Sequence, residues 1–237
     1  MIQYKTDTLD LRLMDCMDLM REYPDKHFDL AIVDPPYGIG EHGKGNNRHR
    51  GGQVFTFFEP KKWDNDRPTA EYWCELIRVS QNQIVWGGNY FVDYLKPSMG
   101  WIFWDKLMGG DFSDGELAYT SFERALRKFT KSPEKNYSTN AESAAKWKRI
   151  HPCQKPVALY RWLLANYAKE GMKILDTHLG SMSHAIAAHY SGVHLTGCEL
   201  DPDYFAAGIE RVKAETAQMD MFADSPKSEQ TETMKLL

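Results

Sequence analysis

Cysteine is sparse in this chain of 237 residues, and its four thiols, Cys16, Cys74, Cys153 and Cys198, are widely scattered. With no Cys-x-x-Cys pair there is neither a zinc ribbon nor a redox couple, and no metal site is expected. Free thiols of this kind suit a reducing cytosol, so a cytoplasmic protein is expected. Long apolar runs are lacking too. Mean hydropathy is -0.56, no segment reads as a membrane span, and the polar stretch from Met1 to Asp10 does not read as a signal peptide. Positive charge is not in excess: 29 Lys and Arg stand against 33 Asp and Glu, a net charge of -4. A globally basic nucleic-acid binder is therefore excluded, and any such binding must come from local patches. No internal repeat is visible. What the chain has is 42% hydrophobic residues, enough to fill the core of one large α/β domain.

Phe28 to Val33 is a short continuous apolar run, the pattern of a buried parallel strand. It delivers Asp34-Pro35-Pro36-Tyr37-Gly38 at its C-terminal end, and open α/β sheets bind ligands just outside the carboxyl ends of their strands. Taken alone, the same residues also read as a strand followed by an ordinary proline turn. Leu11 to Asp15 reads as another strand closing on an acid, followed by a short helix, Cys16 to Tyr23. A helix is expected after Pro68 through Val79. Strand signals then end at Gly87-Gly88-Asn89-Tyr90 and at Asp105-Lys106, and Leu117 to Phe122 alternates like a further strand.

Two segments carry the local positive charge. Gly40 to Gln53 has no apolar period and reads as a mobile loop bearing Lys44, Arg48 and Arg50. Arg124 to Arg149 is basic, with Arg127, Lys128, Lys131 and Lys148 among its cations and Phe129, Tyr137 and Trp147 interleaved. Basic groups neutralise phosphates and aromatic faces stack bases. A plain solvated surface is the other reading of both.

The second half opens with a helix from Pro156 through Ala168, whose Leu159, Trp162, Leu163 and Tyr167 fall on one face. A strand from Met172 to Leu175 ends at Asp176, Thr177 to Ser181 turns into a small-residue helix through Tyr190, and a strand from His194 to Cys198 ends at Glu199. This is the layout of a nucleoside-binding βαβ unit, with an acid about twenty residues on for the ribose hydroxyls. It is not the glycine-rich dinucleotide fingerprint, because Met182 stands where another glycine would be. A carboxylate ahead of the turn would repel a pyrophosphate. It suits S-adenosylmethionine, which carries both a sulfonium and an ammonium.

The Asp34 turn fits one chemistry with such a donor. An exocyclic base amine is a weak nucleophile, because its lone pair is delocalised into the ring. Two acceptors holding both N–H bonds can twist the nitrogen toward tetrahedral geometry. The Asp34 carboxylate is one. The Pro35 carbonyl is the other, since Pro36 brings no N–H to compete and both rings stiffen the turn. Tyr37 offers a stacking face. A duplex base must leave the helix to reach such a pocket.

These stretches resemble the DNA amino-methyltransferases: Asp34-Pro35-Pro36-Tyr37-Gly38, then Ile84 to Phe91, His151 to Pro156, Leu175 to Ser181 and Gly197 to Phe205, in that order. With the catalytic motif ahead of the cofactor motif, the chain resembles the β class, particularly its small phage and prophage members, from about Leu11 to Arg211. The resemblance implies an α/β fold: a Rossmann-like S-adenosylmethionine-dependent methyltransferase fold, circularly permuted, with six parallel strands and one antiparallel. It implies Asp34, Pro35, Pro36 and Tyr37 at the target amine. Asp176, Gly180 and Lys155 would lie near the methionine part of the cofactor, Glu199 at its ribose, and Asp15 with Cys16 near its adenine; Asp34, His178 and Ser181 complete the cofactor set. An Asp first in the motif is typical of adenine-N6 enzymes, whereas cytosine-N4 enzymes more often begin with Ser. A cytosine-N4 enzyme and a catalytically inactive DNA-binding module, with Met182 crowding the cofactor, are the alternatives. Pro152-Cys153-Gln154 resembles the nucleophile motif of cytosine-C5 enzymes, but it precedes the cofactor motif and competes with an intact Asp34 turn, so it is taken as a decoy.

The resulting expectation is a single methyltransferase domain over 1–218, with DNA-recognition insertions near 40–66 and 124–150, and a flexible tail over 219–237. Lys44, Arg48, Arg50, Arg127, Lys128, Lys131 and Lys148 are the expected DNA contacts. Gln218-Met219-Asp220-Met221-Phe222 resembles the peptide by which bacterial proteins dock on the DNA polymerase sliding clamp, with Gln218, Met221 and Phe222 as anchors in an extended peptide. A frayed helix end is the other reading. Both recognition segments are short, so a homodimer or a short recognition site is plausible.

Overall fold

A computed structural model describes residues 2–40, 61–108, 113–133 and 149–223. Lys44, Arg48, Arg50 and Lys148 lie outside the described residues. Among the described residues nine strands form one sheet in the order β1-β2-β9-β8-β3-β4-β6-β5-β7. The strands are β1 (Ile2–Lys5), β2 (Leu9–Leu13), β3 (Phe28–Val33), β4 (Ser80–Trp86), β5 (Trp101–Asp105), β6 (Gly115–Thr120), β7 (Arg127–Thr130), β8 (Lys173–Asp176) and β9 (His194–Glu199). Five neighbours, β2, β9, β8, β3 and β4, run parallel. Then β6 pairs antiparallel with both β4 and β5. The expected six parallel strands and one antiparallel strand are thus present in the middle of the sheet. Each edge carries one more: β1 as a hairpin on β2, and β7 parallel to β5.

The helices are α1 (Cys16–Arg21), α2 (Ala70–Val79), α3 (Val157–Tyr167), α4 (Ser183–His189) and α5 (Pro202–Ala223). They cover the sheet on two sides, and from Leu30 to Val33 alternate residues of β3 feed the two cores, as the pleat requires. On β3, Leu30 and Ile32 join the core that holds residues of α3, α4 and α5. Phe28, Ala31 and Val33 join the other, with residues of α1 and α2. A strand buried on both faces needs the unbroken apolar run seen here.

Three local readings shift. In α3 the buried face is Leu159, Tyr160, Leu163, Leu164 and Tyr167, while Trp162 is only partly buried. The Arg124–Arg149 segment is partly a strand: Arg127 and Lys128 are exposed on β7, the charged edge that discourages pairing with other chains. Last, α5 runs on to Ala223, past the expected end at 218. Gln218, Met221 and Phe222 therefore stand in the final turns of a helix and not in an extended tail, because Ala214 to Ala223 contains neither glycine nor proline to stop it. Among the described residues no helix is long and apolar enough to cross a membrane.

Candidate active site

The sequence ends four neighbouring parallel strands in acids, and the sheet order brings those acids to one edge. Asp15 follows β2, Glu199 ends β9, Asp176 ends β8 and Asp34 follows β3. From β8 the chain continues towards β9, and from β3 towards β4, so the crevice between β8 and β3 is a topological switch point.

On the cofactor side the acids are held by the chain's own N–H groups. Asp15 caps α1, its Oδ1 accepting from the N–H of Met17 at 2.7 Å and of Asp18 at 3.4 Å. Burial and the Asp15 charge push the Cys16 thiol up to about 12. Glu199 accepts from the Gly180 N–H at 2.8 Å and the Asp201 N–H at 2.9 Å, and burial raises its carboxyl. Asp176, almost fully buried, accepts from the His178 N–H at 3.0 Å and lies 2.9 Å from His184 Nδ1. Gly197 lies so close to Leu179 and the Asp176 carbonyl that a Cβ there would come within 2.7 Å of the Leu179 side chain; only glycine fits.

The remaining cofactor candidates fall around this loop. His178 is held by Thr177 Oγ1 at 2.9 Å, and burial lowers it to about 4. Ser181 turns its hydroxyl into the start of α4, 3.1 Å from Ser183 Oγ. Met182 takes the left-handed conformation, φ 58°, which glycine adopts without strain. Its side chain is fully buried and points at Gly208 of α5, where a Cβ would come within 2.8 Å of its Cγ and Sδ. Met182 therefore packs into the core, one of the two readings the sequence left open for it.

The catalytic side is wired differently. Asp34 Oδ1 accepts from the Tyr37 hydroxyl at 2.7 Å, and Oδ2 from Lys155 Nζ at 2.5 Å. Lys155, expected beside the methionine end of the cofactor, is buried and lies between two acids: its Nζ is also 3.2 Å from Glu116 Oε2. Glu116 in turn pairs with Lys106. Burial raises the Asp34 carboxyl; Lys155 opposes the rise and the Glu116 charge adds to it. For Glu116 burial works upward as well, but the two lysines outweigh it and hold it low. Tyr37 stacks on Tyr90 with centroids 5.0 Å apart and planes at 15°. Its ring lies against Gly87, where a Cβ would fall 2.3 Å from Tyr37 Cε1. One face expected for a base is thus already taken, and Tyr90 is the more open ring, 37% exposed.

Sequence reasoning missed several residues here. Asp64, buried, accepts from the N–H groups of Tyr37 at 2.7 Å and Gly38 at 3.0 Å. Lys61 bridges to Asp201 at 2.6 Å and Asp203 at 2.9 Å. Lys61 and Asp64, within the span expected as a DNA-recognition insertion, thus tie it to the start of α5 and to the catalytic turn. His151 packs beside Gly180 and against Trp63 and Tyr204, and burial lowers it to about 3. Of the DNA candidates, Lys128 is paired with Asp105 at 2.9 Å. Although Cys153 as a residue is exposed, burial and the nearby Asp34 charge push its thiol up to about 12. That is no thiolate at neutral pH, which agrees with the decoy reading.

A family model described as DNA methylase, covering N6 and N4 enzymes, matches residues 60–210. The chain belongs to that family. It is 24% identical to DNA adenine methyltransferase YhdJ of Escherichia coli K12 over 84% of this chain and 80% of that protein. The solved M1.HpyAVI–SAM complex matches with a TM-score of 0.57 and 18% identity, over 86% of this chain and 98% of that one. The PvuII cytosine-N4-specific DNA methyltransferase matches with a TM-score of 0.59 and 12% identity, over 92% and 93%. The chain is a DNA methyltransferase of the β class, with the Rossmann-like methyltransferase fold, and its cofactor is S-adenosylmethionine. The donor set fits that cofactor. Glu199 and Asp15 bring carboxylates, not cations, to the strand ends, which suits a ribose diol and a sulfonium but not a pyrophosphate.

Proposed function

We propose that this DNA methyltransferase is adenine-specific and methylates the N6 amine of a flipped-out base. The observation that carries the reading is the Asp34 carboxylate, fixed at the crevice by Tyr37 and Lys155, at the head of an Asp-Pro-Pro-Tyr turn. The adenine-methyltransferase name of the Escherichia coli relative supports it.

S-adenosylmethionine supplies a methyl group activated on sulfur, and Glu199, Gly180 and Asp15 would hold it. Everything else is done by the chain. Asp34 and the Pro35 carbonyl each accept one amine N–H, which frees the nitrogen lone pair and aims it. On methylation the amine gains a methyl group and must lose a proton. Asp34, whose affinity for protons is raised by burial, is placed to take it. Lys131 directly follows β7, which runs parallel to β5, so it stands at the same edge of the sheet as Asp34 and offers a cation to a DNA backbone, whereas Arg127, at the start of β7, stands at the opposite edge.

The test is nucleoside analysis of DNA methylated by the purified enzyme. N6-methyladenine is expected; N4-methylcytosine in its place would overturn the adenine assignment.

A further inference from the structure

Lys155 has one ammonium and two carboxylates. Its Nζ is 2.5 Å from Asp34 Oδ2 and 3.2 Å from Glu116 Oε2. The nearer contact is a hydrogen bond. Glu116 Oε2 is buried and faces the ammonium at the longer of the two distances. Its other oxygen is engaged by Lys106, which anchors the glutamate from the far side. The Trp86 ring, 5.3 Å from Nζ, completes the surround.

With Lys106 already on Glu116, the ammonium of Lys155 has a second carboxylate oxygen within reach besides the one it bonds. The arrangement has a use once the substrate amine arrives. In the structure, both Asp34 oxygens are occupied, one by Tyr37 and one by Lys155. An incoming N–H must compete with a charge-assisted bond at 2.5 Å, the stronger kind. A small movement of Nζ along the line from Asp34 to Glu116 would loosen that bond and satisfy Glu116 Oε2 together.

We propose that Glu116 is a positioning residue for methyl transfer, the second seat to which the Lys155 ammonium moves when the amine engages Asp34. The inference rests on the reading of Asp34 as the acceptor of the amine. Glu116 touches neither base nor cofactor; it acts through Lys155.

Steady-state kinetics of Glu116→Gln across pH tests this, beside Asp34→Ala. Without the second charge Lys155 stays on Asp34 and blocks the amine. The kcat of Glu116→Gln falls on the order of 10- to 100-fold, while S-adenosylmethionine affinity by calorimetry and KM for DNA stay as they were. The acid limb of kcat moves to lower pH, because the Glu116 charge that raises Asp34 is gone. A glutamate that only contributes its charge would move that limb as well but would leave kcat on the alkaline plateau unchanged. Unchanged kcat, or an unmoved acid limb, overturns the inference. Should Glu116→Gln not fold, Glu116→Asp serves: it keeps the charge but withdraws it by one methylene, so kcat falls with the limb unmoved, and wild-type kcat there overturns the inference equally. Asp34→Ala separates the two levels. Loss of turnover in Asp34→Ala with wild-type behaviour in the Glu116 variants removes only the second seat, whereas normal turnover in Asp34→Ala removes the catalytic reading itself.

Discussion

The two halves of the site hold their acids by different means. On the cofactor side, Asp15, Asp176 and Glu199 all accept from backbone N–H groups, most of them two or three residues away. On the catalytic side, Asp34 and Glu116 are held by side chains, and the Lys155 that joins them to each other comes from 121 residues beyond Asp34. Backbone donors are fixed once the turn forms, and they carry no charge to lose. An ammonium is movable, and its removal leaves buried carboxylates uncompensated. The first arrangement suits a ligand that is only held; the second suits a carboxylate that must exchange partners during a reaction.

Single substitutions can break that contrast. Lys155→Met should have the largest effect: it strands the buried Asp34 and leaves Glu116 with Lys106 alone, and should destabilise the fold by about 3–5 kcal/mol, read as a lowered urea midpoint, with turnover lost as well. Met182→Gly should come next. It relieves a left-handed φ of 58°, worth about 1–3 kcal/mol, but empties a buried side chain, whose loss costs about 2–5 kcal/mol. A net loss of stability with unchanged S-adenosylmethionine affinity is expected; tighter binding would show that Met182 does crowd the cofactor. Asp15→Ala should be the mildest, about 1 kcal/mol, the usual value of a helix cap, measured without cofactor. If Asp15→Ala proved as damaging as Lys155→Met, the distinction between the halves would collapse.

A pH series sharpens the same contrast without mutation. Burial lowers His151 to about 3 and His178 to about 4, against 6.5 for the free imidazole. Below pH 6.5 the unfolded chain therefore binds protons that the folded chain refuses, so stability falls with pH. The loss should begin near pH 6.5 and continue towards pH 4, followed by urea titrations. A flat stability curve across that window would show that the two rings are not buried as neutral groups.

Much of this was legible in the amino-acid order. An apolar run ending in Asp34-Pro35-Pro36-Tyr37 could only be a buried strand with a rigid turn at its end, and the strand–turn–helix unit around Asp176 followed from the same pattern. Glu116 was not legible. Acids were sought at the ends of strands, and β6 runs against its neighbours, so the residue it brings to the crevice stands at its beginning. Asp64 was hidden for another reason. It lies 27 residues from the N–H of Tyr37 that it holds, in a stretch whose composition resembles a surface loop. The role of Met182 stayed open in the sequence because a residue's place in a motif does not say where its side chain points; in the fold it lies against Gly208.

The order of strands also bears on how the sheet is completed. β2 and β3 are made early in the chain, yet in the sheet they are separated by β9 and β8. Leu9 pairs with Leu195, and Leu30 with Ile174. Neither early strand can find its permanent neighbour on that side until the last third of the domain has been synthesised, and pairings of such separation form slowly. A nascent chain that stops short of β8 holds its catalytic turn on a strand with one edge open, a state prone to association with other chains. Two inner strands of this sheet, β8 and β9, are the last to be written.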